Sequence, residues 1–286
     1  MRETDLRLPD GRALHVYDTH PGDDHRVPVV WHHGTPNLGT PPAPLLEASD
    51  WLGLRWVSFD RPGYGGSTVA PGRTMGSVAR DAEDVADALG LGRFSVMGYS
   101  GGGSYALGCA ATLGDRVQAV VSLAGIAPYG VPGLDWFGGM IRSGVTNLQA
   151  ARTGRVARAA LADEDYDPEF APVDLALFDG PWGWLGQIAG PVALTAGPYG
   201  PIDDDVSYLL PWGCDPAGIT APVLLLHGGI DRIIPPTHGD WLAEHLPCAE
   251  LNRYDADSHI SILGHAESAL DWLRDHADGP TAYPLG

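Results

Sequence analysis

The chain has 286 residues, 44 % of them hydrophobic, which fits one large α/β domain, with or without an insertion, and excludes a small stapled scaffold. Its 36 acidic residues against 17 basic ones give a formal net charge of −19, a field that repels phosphate backbones and anionic lipid, so neither nucleic acid nor a membrane surface is expected as a partner. Cys109, Cys214 and Cys248 are scattered, lack metal-ligand spacing and imply no disulfide framework; with no signal-like or bilayer-length apolar run, a cytoplasmic protein is expected.

Residues 4–8 and 13–17 flank Pro9-Asp10-Gly11-Arg12 and predict an opening antiparallel hairpin. The apolar run 27–31 predicts a buried strand that ends in His32-His33-Gly34-Thr35-Pro36, with a short helix over 43–52 beyond a Pro/Gly-rich loop. A strand over 54–59 runs into the Gly/Pro loop 60–67, where Asp60 and Arg61 are expected to hold the loop down. Val78, Ala82, Val85, Ala86 and Leu89 recur at helical spacing over 75–89, and Gly90 and Gly92 end that helix. Residues 93–107 begin as a short apolar strand, turn abruptly and continue as a helix of small residues; 117–123 is the next strand. Strand and helix alternate throughout, which means a mostly parallel sheet with helices on both faces, an α/β protein.

From 128 to 216 this rhythm breaks. The segment is rich in Gly, Pro and Trp (Trp136, Trp182, Trp184, Trp212), with helical stretches such as 145–162. The rhythm resumes with a strand over 222–227, a helix over 237–246, a strand over 249–254 and a helix over 261–276; the tail 278–286 is expected to be loosely ordered. The reading is a core of residues 1–127 and 217–286 with a helical cap, 128–216, inserted before the penultimate strands.

The chemistry gathers at strand ends. Gly98-Tyr99-Ser100-Gly101-Gly102 matches Gly-x-Ser-x-Gly at a strand-to-helix turn, where Gly98 and Gly102 leave room for a strained serine. A serine hydroxyl is a poor nucleophile at neutral pH and needs a base and an acid that orients the base. Asp231 follows the strand 222–227, and His259 follows the strand ending near Tyr254. In an open α/β sheet all three would lie at the carboxyl edge. Asp240 and Asp255 compete for the acid role. His33 reads as a structural residue and His32 as one that could face a pocket. His227 reads as a core residue, and His238, His245, His265 and His276 as surface or packing residues. The tryptophans of 128–216 either pack or line an apolar pocket. Asp203-Asp204-Asp205 reads as a solvated loop or, alternatively, a lure for a cationic substrate. No His, Asp or Glu group has zinc-ligand spacing, and the loop 60–67 lacks the lysine of a phosphate-binding loop.

With these motifs in the order Ser, Asp, His, the chain resembles the α/β-hydrolase superfamily, in its esterase-like branch with an inserted cap, over residues 10–277. His33-Gly34-Thr35-Pro36, residues 60–67, residues 98–102 and Gly228-Gly229-Ile230-Asp231 with His259 carry the resemblance. It implies Ser100 as nucleophile, His259 as base and Asp231 as orienting acid, with an oxyanion hole from the backbone N–H groups of Thr35 and Gly101. It departs from the commoner Gly-x-Gly-His around the base, with Ala256-Asp257-Ser258-His259 instead. The expected activity is hydrolysis of a small-molecule ester, thioester or lactone through an acyl-enzyme, without metal or cofactor. An aminopeptidase or amidase, a carbon–carbon hydrolase or a cofactor-free perhydrolase would use the same residues. A non-catalytic ligand-binding protein on this scaffold is the alternative from another class.

Overall fold

The computed structural model describes residues 1–162 and 167–277. The expectation for the tail 278–286 lies outside the described residues. The chain opens with β1 (Arg2–Arg7) and β2 (Ala13–Asp18), the expected antiparallel hairpin, with Arg2 opposite Asp18 and Arg7 opposite Ala13. β3 (Val27–His32), α1 (Leu46–Trp51), β4 (Leu54–Phe59), α2 (Met75–Ala88), β5 (Phe94–Tyr99), α3 (Gly101–Leu113) and β6 (Val117–Leu123) follow. The stretch after β6 carries α4 (Arg142–Thr153), α5 (Arg155–Ala159), α6 (Pro172–Leu177), α7 (Leu185–Ile188) and α8 (Tyr199–Leu209), with 3-10 turns at Pro181–Trp184 and Gly190–Val192. The chain then returns to the sheet with β7 (Val223–Gly228), α9 (Thr237–His245), β8 (Ala249–Tyr254) and α10 (Ala266–His276).

Among the described residues the strands form one eight-stranded sheet in the order β1-β2-β4-β3-β5-β6-β7-β8. β1 with β2 and β2 with β4 are antiparallel, and every other pairing is parallel. Every residue of β4, β5, β6 and β7 is buried, as in a parallel sheet covered on both faces, and the apolar majority is interrupted only by enclosed polar residues such as Arg55, Ser95 and Gln118. Their side chains alternate between two cores: Val120 faces the core of α2, α3 and α9, and Val121 the core that α10 covers. β1 forms one edge, and its exposed Arg2, Glu3, Asp5 and Arg7 discourage pairing with another chain.

Local chemistry sets the helix ends. Thr74 caps α2 by accepting from the Ser77 N–H, and the Ser77 hydroxyl accepts from the Thr74 N–H. The helical pattern over 145–162 divides into α4 and α5 at Gly154, whose φ of 133° only glycine adopts without strain. The helix expected over 261–276 starts with a 3-10 segment, Ser261–His265, before α10.

The sheet order also positions the site. The chain runs outward from β3 to β4, then returns to β5 on the other side of β3, and His32 at the end of β3 lies opposite Gly98 of β5. The carboxyl ends of β3 and β5 therefore open side by side where the winding reverses, the place where open α/β sheets bind ligands.

Candidate active site

Ser100 sits between β5 and α3 with φ 57° and ψ −131°, a conformation that costs a non-glycine residue about 1–3 kcal/mol and persists only where neighbours enforce it. The enforcement is visible. The Ser100 N–H donates to the Leu123 carbonyl at 2.8 Å, and the Gly103 N–H donates to the Ser100 carbonyl at 2.9 Å. A Cβ on Gly98 would lie 2.1 Å from the Gly102 oxygen, and one on Gly102 would lie 2.0 Å from the His32 oxygen. The turn therefore requires glycine at both positions for close approach of backbone.

His259 and Asp231 meet Ser100 from the other side. The Ser100 hydroxyl donates to His259 Nε2 at 2.9 Å, and His259 Nδ1–H donates to Asp231 Oδ2 at 2.7 Å. A carboxylate only accepts, so the Asp231 contact fixes the proton on Nδ1 and leaves Nε2 as the acceptor. Asp231 is itself held: its Oδ1 accepts from the N–H groups of Ile233 at 2.8 Å and Ile234 at 3.0 Å. The competing acids are elsewhere. Asp240 and Asp255 lie beside Arg253, with Asp255 almost wholly exposed.

The loop bearing His259 is anchored by a residue the sequence reading missed. Asp174 of α6 accepts from the N–H groups of Ile260 at 2.7 Å and Ser261 at 2.8 Å. It supplies the acceptor that the amides around the start of the 3-10 segment need. The Ser258 N–H donates to Ser261 Oγ at 2.7 Å, and Tyr99 Oη donates to the His259 carbonyl at 3.2 Å. Asp257 accepts from His265 Nε2 at 2.8 Å, and His265 stacks on Tyr254 with ring centres 3.6 Å apart. Nothing in the sequence separates Asp174 from any other first-turn acid.

Facing Ser100, the loop after β3 is fixed to α8. Both sequence-based readings of the acidic run, a solvated loop or an electrostatic lure, are corrected. Asp203, Asp204 and Asp205 lie within α8, where Asp204 is fully buried. Asp203 pairs with Arg155 at 2.5 Å and Asp205 with Arg158 at 2.6 Å. Asp204 pairs with Arg61 and Arg73, each at 2.7 Å, and accepts from Tyr64 at 2.7 Å, Tyr105 at 2.8 Å and Thr35 Oγ1 at 2.6 Å. Burial alone would raise the Asp204 carboxyl, but the two guanidiniums overcome it and hold the group well below the usual carboxylate range. Arg61 also donates to the carbonyls of His33 and Gly34. Asp60 ties down the glycine loop as expected, accepting from the N–H groups of Gly39 at 2.7 Å and Gly66 at 3.1 Å.

Four buried histidines, His32, His33, His227 and His238, are structural groups whose imidazoles burial holds below the ordinary value. His33 donates from Nδ1 to the Gly34 carbonyl and accepts the Arg61 N–H at Nε2. His32 does not line the cavity; it lies beside Cys109, and burial pushes its imidazole down to about 3. His227 donates to the Ile234 carbonyl at 2.8 Å. His238 donates from Nε2 to the Trp136 carbonyl and accepts the Ala127 N–H at Nδ1, with burial lowering it to about 4.

A cavity of about 290 Å³ opens onto Ser100, Gly101 and Thr35. Its wall is mostly apolar, with Leu148, Leu161, Ile202 and Ile234 among its residues, and the Arg158–Asp205 pair adds a polar stretch. Burial raises the Asp205 carboxyl to about 6. None of Trp136, Trp182, Trp184 and Trp212 lines this cavity; all four are buried in packing. Among the described residues, no group of three or more His, Cys, Asp or Glu side chains could hold a metal ion, and no helix is long and apolar enough to cross a membrane.

A family model for the alpha/beta hydrolase fold matches residues 27–266. The chain belongs to the alpha/beta hydrolase fold family. Within it, the chain is similar to a pimeloyl-[acyl-carrier protein] methyl ester esterase of Nitrosomonas europaea, with 31 % identity over 89 % of this chain and 96 % of that protein. It is also similar to a 2-hydroxy-6-oxononadienedioate/2-hydroxy-6-oxononatrienedioate hydrolase of Burkholderia vietnamiensis, with 28 % identity over 93 % of each. Among solved structures, a bromoperoxidase from Bacillus anthracis shares the fold at a TM-score of 0.70 and 22 % identity, covering 96 % of this chain and 98 % of that one. In this alpha/beta hydrolase the residues expected from sequence at positions 35, 100, 101, 231 and 259 converge on one edge of the sheet.

Proposed function

We propose that the protein is a serine hydrolase that cleaves a small-molecule carboxylic ester through an acyl-enzyme on Ser100. The observation that carries the reading is the continuous hydrogen-bond chain from the Ser100 hydroxyl through the two nitrogens of His259 to Asp231, at 2.9 and 2.7 Å. His259 Nε2 takes the hydroxyl proton as Oγ attacks the ester carbonyl, and Asp231 stabilises the imidazolium that results. The oxyanion of the tetrahedral intermediate is received by the backbone N–H groups of Thr35 and Gly101. The Gly101 amide is the first of α3, so it has no carbonyl ahead of it in the helix and carries the positive end of the helix dipole. The C–O bond then breaks, and the alcohol leaves with the proton held on His259. Water, deprotonated by the same nitrogen, attacks the acyl-enzyme and releases the acid.

The name of the Nitrosomonas relative, a methyl ester esterase, supports an ester as the bond cleaved. The cavity of about 290 Å³, mostly apolar, supports an acyl or alcohol group of modest size. The stretch from α4 to α8 acts in this reading as a cap, since Leu148, Arg158 and Ile202 from it wall the cavity. The proposal keeps residues 128–216 as that cap, a small-molecule substrate as the partner rather than nucleic acid or membrane, and the cytoplasm as the place of action. The exposed free thiol at Cys248 is compatible with a reducing compartment. The chemistry needs neither metal nor cofactor.

Carbon–carbon hydrolysis with the same serine is the second reading, and the similarity to the Burkholderia vietnamiensis hydrolase favours it. An aminopeptidase reading loses its main support, because the acidic run that would attract a free amine is paired with arginines. The test is Ser100→Ala on short p-nitrophenyl esters. Loss of turnover to the background rate is expected, and wild-type turnover in the variant would refute the nucleophile. A panel containing vinylogous 1,5-diketones separates carbon–carbon from ester cleavage.

A further inference from the structure

The hydroxyl of Tyr208 stands where a side chain on Gly101 would begin. A Cβ built on Gly101 would lie 1.8 Å from Tyr208 Oη and 3.2 Å from Thr35 Oγ1. Tyr208 belongs to α8, in the stretch between β6 and β7, yet its hydroxyl lies against the two residues whose amides are proposed to receive the oxyanion, and it lines the cavity above Ser100. We propose that Tyr208 is a further catalytic residue, whose hydroxyl donates a third hydrogen bond to the substrate oxygen that becomes the oxyanion. The inference rests on the Ser100 reading above.

The hydrogen-bond polarities in the resting site make this possible. Thr35 Oγ1 lies 2.6 Å from Asp204 Oδ2, and a carboxylate can only accept, so the single Thr35 proton goes to Asp204. Tyr208 Oη lies 2.7 Å from the same Thr35 oxygen, and must therefore be the donor in that pair. Tyr208 thus holds its proton beside the reacting centre, parked on Thr35. When a substrate carbonyl enters between the Thr35 and Gly101 amides, the hydroxyl can rotate about its C–O bond and donate to it. Thr35 Oγ1 is not stranded by the exchange, because Arg61 Nη2 still donates to it at 3.1 Å. Burial and the Asp204 charge raise the Tyr208 phenol well above its ordinary value, so it stays protonated at any working pH.

The arrangement also explains why Ser100 is followed by glycine for steric reasons rather than for backbone freedom. Any side chain at position 101 would displace the hydroxyl. Asp204 acts here as a positioning residue: by taking the Thr35 proton it dictates the direction in which Tyr208 donates. It is held in place by Arg61 and Arg73.

The experiment compares wild type with Tyr208→Phe and Gly101→Ala. For each, kcat and KM are measured on a p-nitrophenyl ester. The affinity of a trifluoromethyl ketone, which adds Ser100 to form an oxyanion, is measured beside that of the acid product, which forms none. Loss of one oxyanion donor lowers rate about 10²–10³-fold. Tyr208→Phe is expected to lower kcat by about 10²-fold and ketone affinity in parallel, with product affinity changed less than about twofold. Gly101→Ala is expected to lower kcat at least as far, because its Cβ would also lie 2.7 Å from Tyr208 Cζ, so the ring as well as the hydroxyl must shift. Unchanged kcat in folded Tyr208→Phe would overturn the proposal. An equal fall in ketone and product affinity would also overturn it, because it marks a misshapen pocket rather than a lost oxyanion donor. Should Ser100→Ala keep wild-type turnover, the functional reading fails instead, whatever Tyr208 does.

Discussion

Asp174 is the sharpest test of how the proposed cap and the proposed base, His259, are linked. It reaches from α6 to the backbone immediately after His259, and the two amides it serves there are buried. In Asp174→Ala the N–H groups of Ile260 and Ser261 lose their acceptor, and each buried unsatisfied donor costs about 1–3 kcal/mol, so a loss of about 2–6 kcal/mol is expected if the site neither collapses nor admits water. Asp174→Asn keeps one acceptor oxygen but gives up the charge. Hydrogen bonds to charged groups contribute about 1.5–3 kcal/mol and neutral ones about 0.5–1.5, so the expected loss is ~1 kcal/mol per bond. The same change frees the His259 ring from its fixed place. A displacement of about 1 Å at a reacting group can cost on the order of 10² in rate, so kcat in Asp174→Ala should fall by about one to two decades. Urea unfolding measures the first effect, p-nitrophenyl ester turnover the second, and amide exchange at positions 260 and 261 ties both to the same contact. Stability within about 0.5 kcal/mol of wild type would refute the energetic reasoning, since surface changes alone give values of that size. A destabilised variant with wild-type kcat would refute the link to His259.

Two further outcomes follow from buried charge. Asp204→Asn leaves Arg61 and Arg73 without their shared buried counter-charge, and breaking such a pair costs about 3–5 kcal/mol; a loss below about 1 kcal/mol in chemical denaturation would contradict this. His238 is held neutral in the fold, with its pKa depressed from 6.5 to about 4, so the unfolded chain binds its proton more readily. Its stabilising contribution is fully present above about pH 6.5 and is lost as pH falls toward 4. One pKa unit is about 1.36 kcal/mol, so it loses about 2 kcal/mol between pH 7 and 5. The stability difference between wild type and His238→Gln should shrink by that amount over this range, and a pH-independent difference would sink the assignment.

The core of the fold was legible because its signals are local. The runs that became β4, β6 and β8 match the expected strands to the residue, since their ends carry turn-forming neighbours. Ser100, Asp231 and His259 were legible because each follows a strand, and parallel strands deliver their carboxyl ends to one edge. The acidic run at 203–205 was misread because its meaning lies in partners far away. Asp204 is 143 residues from Arg61 and 131 from Arg73, and no local pattern records such a pairing. Asp174 and Tyr208 were missed for the same reason. Each acts on a core loop from a segment whose period is interrupted by Gly and Pro, so neither its helix nor its facing could be read from spacing. The sequence thus displayed the proposed reacting groups, while the contacts that hold them became visible only in three dimensions.

The central claim is an acyl group carried on one oxygen atom. It is tested most directly by mixing the wild-type enzyme with a slowly deacylating p-nitrophenyl ester, quenching in acid and mapping the added mass by peptide sequencing. The account predicts a stoichiometric burst of p-nitrophenol and an acyl mass on Ser100, both absent in Ser100→Ala. Ester turnover with the acyl mass on another residue, or a burst that survives in Ser100→Ala, would contradict it.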